Sequence, residues 1–461
     1  MEFQKTIKAA CHFSGYGIHT GVFSNMKLLP AEENTGITFI RTDLNNYNIK
    51  ADVENVINTD RSTCIGSTDV EIRTIEHILA AIKGNEIDNL KIELDNIEVP
   101  ILDGSCKEFS RQIQKAGIIN QNAKKNYYHI KKTIKYHDEK SGCKIFIEPD
   151  TNFKIQIKID YKSKVLGIQE YELNNITKFN DTISNARTFC FLDEVEELIN
   201  RDLIKGGDLN NAIVISESRI EKTKLIKLAK YFGKKKIDQT KKGIINNVKL
   251  RYDNEPARHK LLDLVGDFSL IGIPIKGKIT AIKPGHYHNI NFTKKLKEII
   301  IKEMKRQAPI INFNEQPIHN KESIKKILPH RDPFLFIDEI RTLGEDFIVG
   351  VKYVKEDEYY FKGHFPGAPV MPGVIQLETM AQTGGVLILS TVKDPENYLT
   401  YFMKIDNAKF KRKVIPNDII IFKLELISPI RRGLCHMHGT GFVDDKIVVE
   451  ADLLAQIAKK N

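Results

Sequence analysis

One long apolar helical stretch, from Val374 to about Leu389, sits among runs that read as long strands, and this pairing constrains the last third of the chain more than any other feature. The strand-like runs are Asp346 to Val354, Ile419 to Leu426 and Ile447 to Ala455. A solitary apolar helix must be covered on several sides at once, so the expected arrangement is a sheet wrapped around a central helix. Glu378 interrupts that helix, and a carboxylate buried there without a partner would be costly. Upstream, His364 stands in Gly-His-Phe-Pro-Gly, residues 363–367. An imidazole and a carboxylate on either side of a Pro/Gly-rich turn suit acid–base chemistry. A lone histidine in such a loop is more often structural.

The chain has 461 residues, 41% hydrophobic and 28% charged, which is the composition of a globular protein of roughly three domains. No apolar run approaches the ~20 residues of a membrane span. The charged start, MEFQKTIKAACHF, does not read as a signal peptide. Six scattered cysteines, with no Cys-x-x-Cys pair, are expected to be reduced thiols in a cytoplasmic protein. The net charge of +10 favours acidic partners. No zinc-finger, RNA-binding or helix-turn-helix signature accompanies it, so nucleic acid is not an expected partner. The lysine-rich stretch from Glu221 to Lys249 is either a solvated surface or a patch for phosphate or an acidic surface.

Residues 1–125 and 126–306 each mix strands with helices in a similar order. In the first, Asn89–Leu94 alternates with period two and Gly36–Ile40 is a second strand, while Arg73 to Ile82 carries Ile75, Ile78, Leu79 and Ile82 at helical spacing. In the second, 144–149 and 153–159 read as strands, and 193–200, 257–271 and 293–306 as helices. Residues 307–322, without periodicity and with two prolines, read as a linker. Residues 323–461 form the last domain.

His259 and Asp263 stand four apart, on one face of the expected 257–271 helix, and Asp267 continues that face. Two ligands at this spacing plus a third from elsewhere leave a position open for water, and His77 is the candidate third ligand beside Glu76 as a base. Alone, His-x-x-x-Asp is more often an ordinary helix hydrogen bond. It does not stand alone: Ser14-Gly-Tyr-Gly-Ile-His19-Thr-Gly, Val99-Pro-Ile-Leu-Asp103-Gly-Ser, Arg187-Thr188-Phe189, Arg258-His259-Lys260-Leu-Leu-Asp263-Leu-Val-Gly-Asp267 and Pro284-Gly-His286 follow in order. With these, the first 305 or so residues resemble the zinc-dependent UDP-3-O-acyl-N-acetylglucosamine deacetylases of lipid A synthesis. The resemblance implies two similar domains with the site between them, and one Zn²⁺ per chain on His77, His259 and Asp263. It implies Glu76 as general base and His286 as general acid or electrostatic stabiliser. Thr188 would donate to the oxyanion, Lys260, set by Asp267, would assist there, and Phe189 would bind substrate. His19 remains open between a turn hydrogen bond and a place near the substrate, and His288 reads as a bystander.

Leu328-Pro-His330-Arg331-Asp-Pro333, the His364 loop, and Val370-Met-Pro-Gly373-Val-Ile-Gln-Leu-Glu378-Thr-Met-Ala-Gln382 resemble the hot-dog 3-hydroxyacyl-carrier-protein dehydratases of fatty acid synthesis. The resemblance implies that His364 takes the α-proton, Glu378 handles the departing β-hydroxyl, and the Gly373 N–H polarises the thioester carbonyl, without a metal. It also implies that His364 and Glu378 meet from different subunits of a dimer, itself free-standing or one of three in a hexamer. Glutamate at 378 favours plain dehydration over isomerisation. His330 and Arg331 are either structural or shape the tunnel mouth. The basic run Lys409, Lys411, Arg412 and Lys413 is either a solvated strand end or a dock for acyl carrier protein. The fold class expected is α+β overall. The function expected is a cytoplasmic bifunctional enzyme acting on a UDP-sugar and on acyl carrier protein thioesters, against two rivals: another metal amidohydrolase fused to a hot-dog thioesterase or hydratase, and a non-enzymatic lipid or carrier-protein binding scaffold whose sites have decayed.

Overall fold

The computed structural model describes residues 2–67, 69–195, 205–240, 243–245, 249–305 and 307–460. They fall into two compact units, Met1–Ile300 and Ile301–Asn461.

The first unit is a repeat. Its first half holds strands Cys11–Tyr16, Phe23–Pro30, Ile37–Arg41 and Tyr47–Lys50, then helix Glu76–Gly84, then strand Leu90–Leu94 and helix Lys107–Ala116. Its second half holds strands Ile134–Asp138, Cys143–Glu148, Phe153–Asp160 and Ile168–Leu173, then helix Glu255–Ser269, strand Ile275–Ile282 and helix His286–Lys305. In both, the fifth strand inserts at the centre, antiparallel to the second and parallel to the third, giving the order first, second, fifth, third, fourth. A parallel pairing needs a crossover, and in each half the crossover carries the helix that precedes the fifth strand. The order of elements read from the sequence is therefore the order of a duplicated sheet.

The strands alternate as their sequences require. Cys143, Ile145 and Ile147 are buried between exposed or half-buried neighbours, as are Phe153, Ile155, Ile157 and Ile159. The two crossover helices pack on each other. Gly266 makes this possible: a Cβ there would lie 2.0 Å from the Glu76 carbonyl oxygen. The first helix begins at Glu76, later than its hydrophobic spacing suggests, because Thr74 has a left-handed backbone (φ 58°) and Arg73 bridges to Glu98. The His286 helix starts seven positions before the expected 293. Of the expected 193–200 helix, residues up to Val195 are helical, and 196–200 lie outside the described residues. The lysine-rich stretch contains helix Lys222–Tyr231, with 241–242 and 246–248 outside the described residues. All six cysteines are free thiols.

In the second unit an antiparallel six-stranded sheet packs on helix Gly373–Leu389. The sheet runs Glu339–Leu343, Phe347–Tyr353, Ile419–Leu426, Leu434–Val443, Lys446–Lys459 and, at the far edge, Tyr398–Phe410. Within the expected linker, His319 pairs with Ile340 and Asn320 caps helix Lys321–Ile327. No helix is long and apolar enough to cross a membrane among the described residues.

Candidate active sites

His77 comes from the start of the first crossover helix, and His259 and Asp263 from one face of the second. Potential ligand atoms of these three buried residues lie within 4.8 Å of one another. Asp263 Oδ1 is 3.3 Å from His259 Nε2 and 3.7 Å from His77 Nε2. His259 Nδ1 lies 3.1 Å from the Ala186 carbonyl, which orients the ring and leaves Nε2 as the inward-facing donor atom. His77 Nδ1 is buried, with no hydrogen-bond partner among the described residues.

The electrostatics suit a cation. Burial, together with neighbouring His259, pushes His77 down to about 3, so its imidazole is neutral. Burial lowers His259 as well. Burial alone would raise Asp263, but His259 and Lys260 outweigh it and hold the carboxylate well below the usual range. Two neutral imidazoles and an ionised carboxylate are the protonation states a divalent metal requires.

Glu76 is adjacent. Its Oε2 accepts the Thr63 N–H at 3.0 Å, and burial pushes its carboxyl up to about 7. His286 faces the same space with Nε2 3.9 Å from Asp263 Oδ2, while its Nδ1–H donates to Asp267 Oδ2 at 2.9 Å. Burial works against protonation of His286, but Asp267 overcomes it and raises the ring to about 9. Lys260 requires a correction. Its Nζ bonds Asp263 Oδ2 at 2.7 Å, not Asp267, whose oxygens are taken by Thr63 (2.5 Å), Asn289 (2.9 Å) and His286. The reason is helical: Asp263 is one turn from Lys260, Asp267 two turns away.

Glu76, His77, His259, Lys260, Asp263 and His286 line a cavity of about 610 Å³, together with Thr188, Phe189 and His19. Phe189 packs edge-on against His259 at 6.5 Å and against Tyr161 at 5.5 Å. Ile18, Ile101, Val195, Leu209, Val214 and Phe232 give the cavity an apolar stretch. His288 instead bonds the Tyr136 hydroxyl at 3.1 Å, away from the cavity lining. Thr63 and Asn289, which bond Asp267 from behind the site, carry no motif that marks them in sequence.

In the second unit, His364 Nδ1 donates to the Val370 carbonyl at 2.8 Å, so Nε2 is the free acceptor. Glu378 Oε1 accepts from Gln382 Nε2 at 3.0 Å and lies 3.5 Å from His330 Nε2. Gln382 is itself fixed by the Phe334 carbonyl and the Phe336 N–H. Glu378 and His330 line a narrow cavity of about 90 Å³ with Leu328, Thr400, Phe402 and Met437; His364 does not. Gly373 opens the central helix, and a Cβ there would meet the Phe410 ring at 2.7 Å. Among the described residues, no hydrogen bond or ion pair joins His364 to Glu378, and the two do not line the same cavity.

Fold and sites together define a two-part chain, a duplicated α/β unit around a candidate metal centre followed by a hot-dog unit. Residues 4–238 and 233–298 match the family of UDP-3-O-acyl N-acetylglycosamine deacetylases (LpxC), and residues 328–452 match the FabA-like domain. The chain is 43% identical over 458 residues to a bifunctional enzyme LpxC/FabZ of Bacteroides thetaiotaomicron, covering 99% of each. It is 44% identical over 461 residues to the one of Porphyromonas gingivalis, again 99% of each, and 39% identical over 465 residues to that of Chlorobaculum tepidum. The chain belongs to the LpxC deacetylase family, in the form fused to a FabA-like domain.

Proposed function

We propose that this chain is a bifunctional enzyme: its first part hydrolyses the N-acetyl group of a UDP-3-O-(3-hydroxyacyl)-N-acetylglucosamine, and its second dehydrates (3R)-3-hydroxyacyl thioesters on acyl carrier protein to trans-2-enoyl thioesters. The activities are assigned to residues 1–306, divided near 125, and 323–461, with 307–322 between them. One observation carries the first activity: His77, His259 and Asp263, distant in sequence, present converging buried ligand atoms.

In this reading His77, His259 and Asp263 hold one Zn²⁺. When bound, it supplies Lewis acidity toward the amide carbonyl and makes water easier to deprotonate. Glu76 takes the proton from the attacking water. Thr188 and the Lys260 ammonium face the oxygen on which negative charge develops. His286, protonated through Asp267, gives its proton to the departing amine, so water and amide become acetate and a free amine. Phe189 and the apolar wall receive the acyl-bearing substrate.

In the second part, His364 Nε2 takes the α-proton while Glu378 assists loss of the β-hydroxyl as water. The Gly373 N–H, at a helix start where it has no acceptor within the helix, faces the thioester carbonyl. This site is assigned no cofactor. Its two halves are completed across a dimer. The edge strand Tyr398–Phe410 supports this, since it exposes Tyr401, Phe402, Met403, Ile405 and Phe410 on an unpaired sheet edge. Lys409, Lys411, Arg412 and Lys413 at its end are the candidate dock for acidic acyl carrier protein. The reading places the enzyme in the cytoplasm.

Metal analysis and product assays test both halves. The purified chain should hold one zinc and catalyse both reactions. His77→Ala should lose zinc and deacetylation but keep dehydration, and Glu378→Gln the reverse. Deacetylation undiminished in His77→Ala would overturn the metal assignment.

A further inference from the structure

Glu98 belongs to no motif used above, yet it is completely buried. Its carboxylate has no basic side chain as a hydrogen-bond or ion-pair partner among the described residues. It accepts four hydrogen bonds from neutral donors instead. The N–H groups of His19 and Thr20 reach it at 3.0 and 2.8 Å, the Thr20 hydroxyl at 2.6 Å and the Thr74 hydroxyl at 2.7 Å. A buried carboxylate satisfied by converging dipoles holds those donors in one geometry, because losing any of them leaves charge uncompensated.

The groups it holds belong to two parts of the active-site wall. One is the turn Gly17–Gly21. Gly17 packs so closely that a Cβ would lie 2.2 Å from Glu98 Oε2, and Gly21 has a left-handed backbone (φ 68°). Behind the turn, Gly206 closes against the Gly17 carbonyl, where its own Cβ would come within 1.8 Å. This clamp sets the His19 ring in the wall of the 610 Å³ cavity that Glu76 and His77 also line. The other part is Thr74, whose left-handed backbone immediately precedes the helix carrying Glu76 and His77. A non-glycine residue keeps that conformation only when its surroundings enforce it.

We propose that Glu98 is a positioning residue for the deacetylase: it locks the His19 turn to the start of the Glu76–His77 helix, so that His19 binds substrate at a fixed distance from the reacting groups. The inference rests on the deacetylase reading. It resolves the two roles open to His19 in favour of substrate contact, with the turn hydrogen bond made by its backbone and the ring left free for the ligand.

The experiment is steady-state deacetylation of the UDP-linked substrate by the full chain and its Glu98→Gln, Thr20→Val, His19→Ala and doubly substituted forms, with zinc content and dehydration measured on the same samples. His19→Ala should raise KM about tenfold with kcat within about twofold, the signature of lost substrate binding remote from the chemistry. Glu98→Gln should do the same. Thr20→Val, which removes one donor and spares the buried charge, should raise KM severalfold and serves if Glu98→Gln does not fold. In a His19→Ala background neither substitution should raise KM further, because they act through that ring. A Thr20→Val enzyme with unchanged KM, or effects that multiply with His19→Ala, would overturn the proposal. An unsubstituted chain with zinc but no deacetylation would overturn the underlying activity instead.

Discussion

Asp267 illustrates how much one carboxylate decides. Its oxygens collect Thr63, Asn289 and His286, and its charge keeps the buried His286 ring protonated to about pH 9. A proton donor with that value works across neutral pH and fails as pH rises through it. Deacetylation should therefore fall on the alkaline side near 9. Its acid limb, set by Glu76, should lie at or below about 7, since a bound cation favours the ionised carboxylate. Asp267→Asn removes the anion and leaves the burial, which lowers His286, so the alkaline limb should move to lower pH. A kcat/KM profile of both forms checks this, and an unmoved limb would assign the titration to another group. The juxtaposition of His259 and Asp263 was legible because helical spacing is a local property. Thr63 was not, because its bond to Asp267 spans 204 residues and nothing near it in the chain foretells the contact. The reading of Lys260 as set by Asp267 failed for a related reason: a motif lists neighbours along the chain, while the lysine reaches only one turn.

Among the elements, the two crossover helices matter most, because each contributes candidate ligands that the other lacks. Their closeness depends on Gly266. Elsewhere in a helix, Gly→Ala gains up to about 1 kcal/mol from propensity. Here the added methyl would meet the Glu76 carbonyl oxygen at 2.0 Å. Overpacking of this kind costs typically about 1–3 kcal/mol, so the net effect of Gly266→Ala should be destabilising and should lower zinc content by spreading the helices. Denaturant midpoints with metal analysis measure both, and a more stable variant with full zinc would refute the argument. The strongly alternating strands and the amphipathic helices were readable in the sequence. Strand Tyr398–Phe410 was not, because an edge exposed over most of its length does not impose a period-two pattern. The start of the Glu76 helix was misplaced because a tertiary contact, Thr74 to Glu98, overrides the local hydrophobic spacing.

At the level of the molecule, His364 does not line the cavity that holds Glu378, and the hot-dog unit leaves an apolar sheet edge uncovered. If sites form across a dimer, coexpressing His364→Ala and Glu378→Gln chains should rescue dehydration. Random pairing makes half the dimers mixed, and each mixed dimer has one intact site of two, so about a quarter of full activity should return. No rescue would place both residues in one chain's site. Sizing of the purified protein should find no monomer.

The duplicated sheet of the first unit has a consequence of its own. Each copy brings an incomplete set of donors, His77 from one and His259 with Asp263 from the other. One hydrophobic core runs through both copies, so a chain cut between them should still hold these donors together through that shared packing.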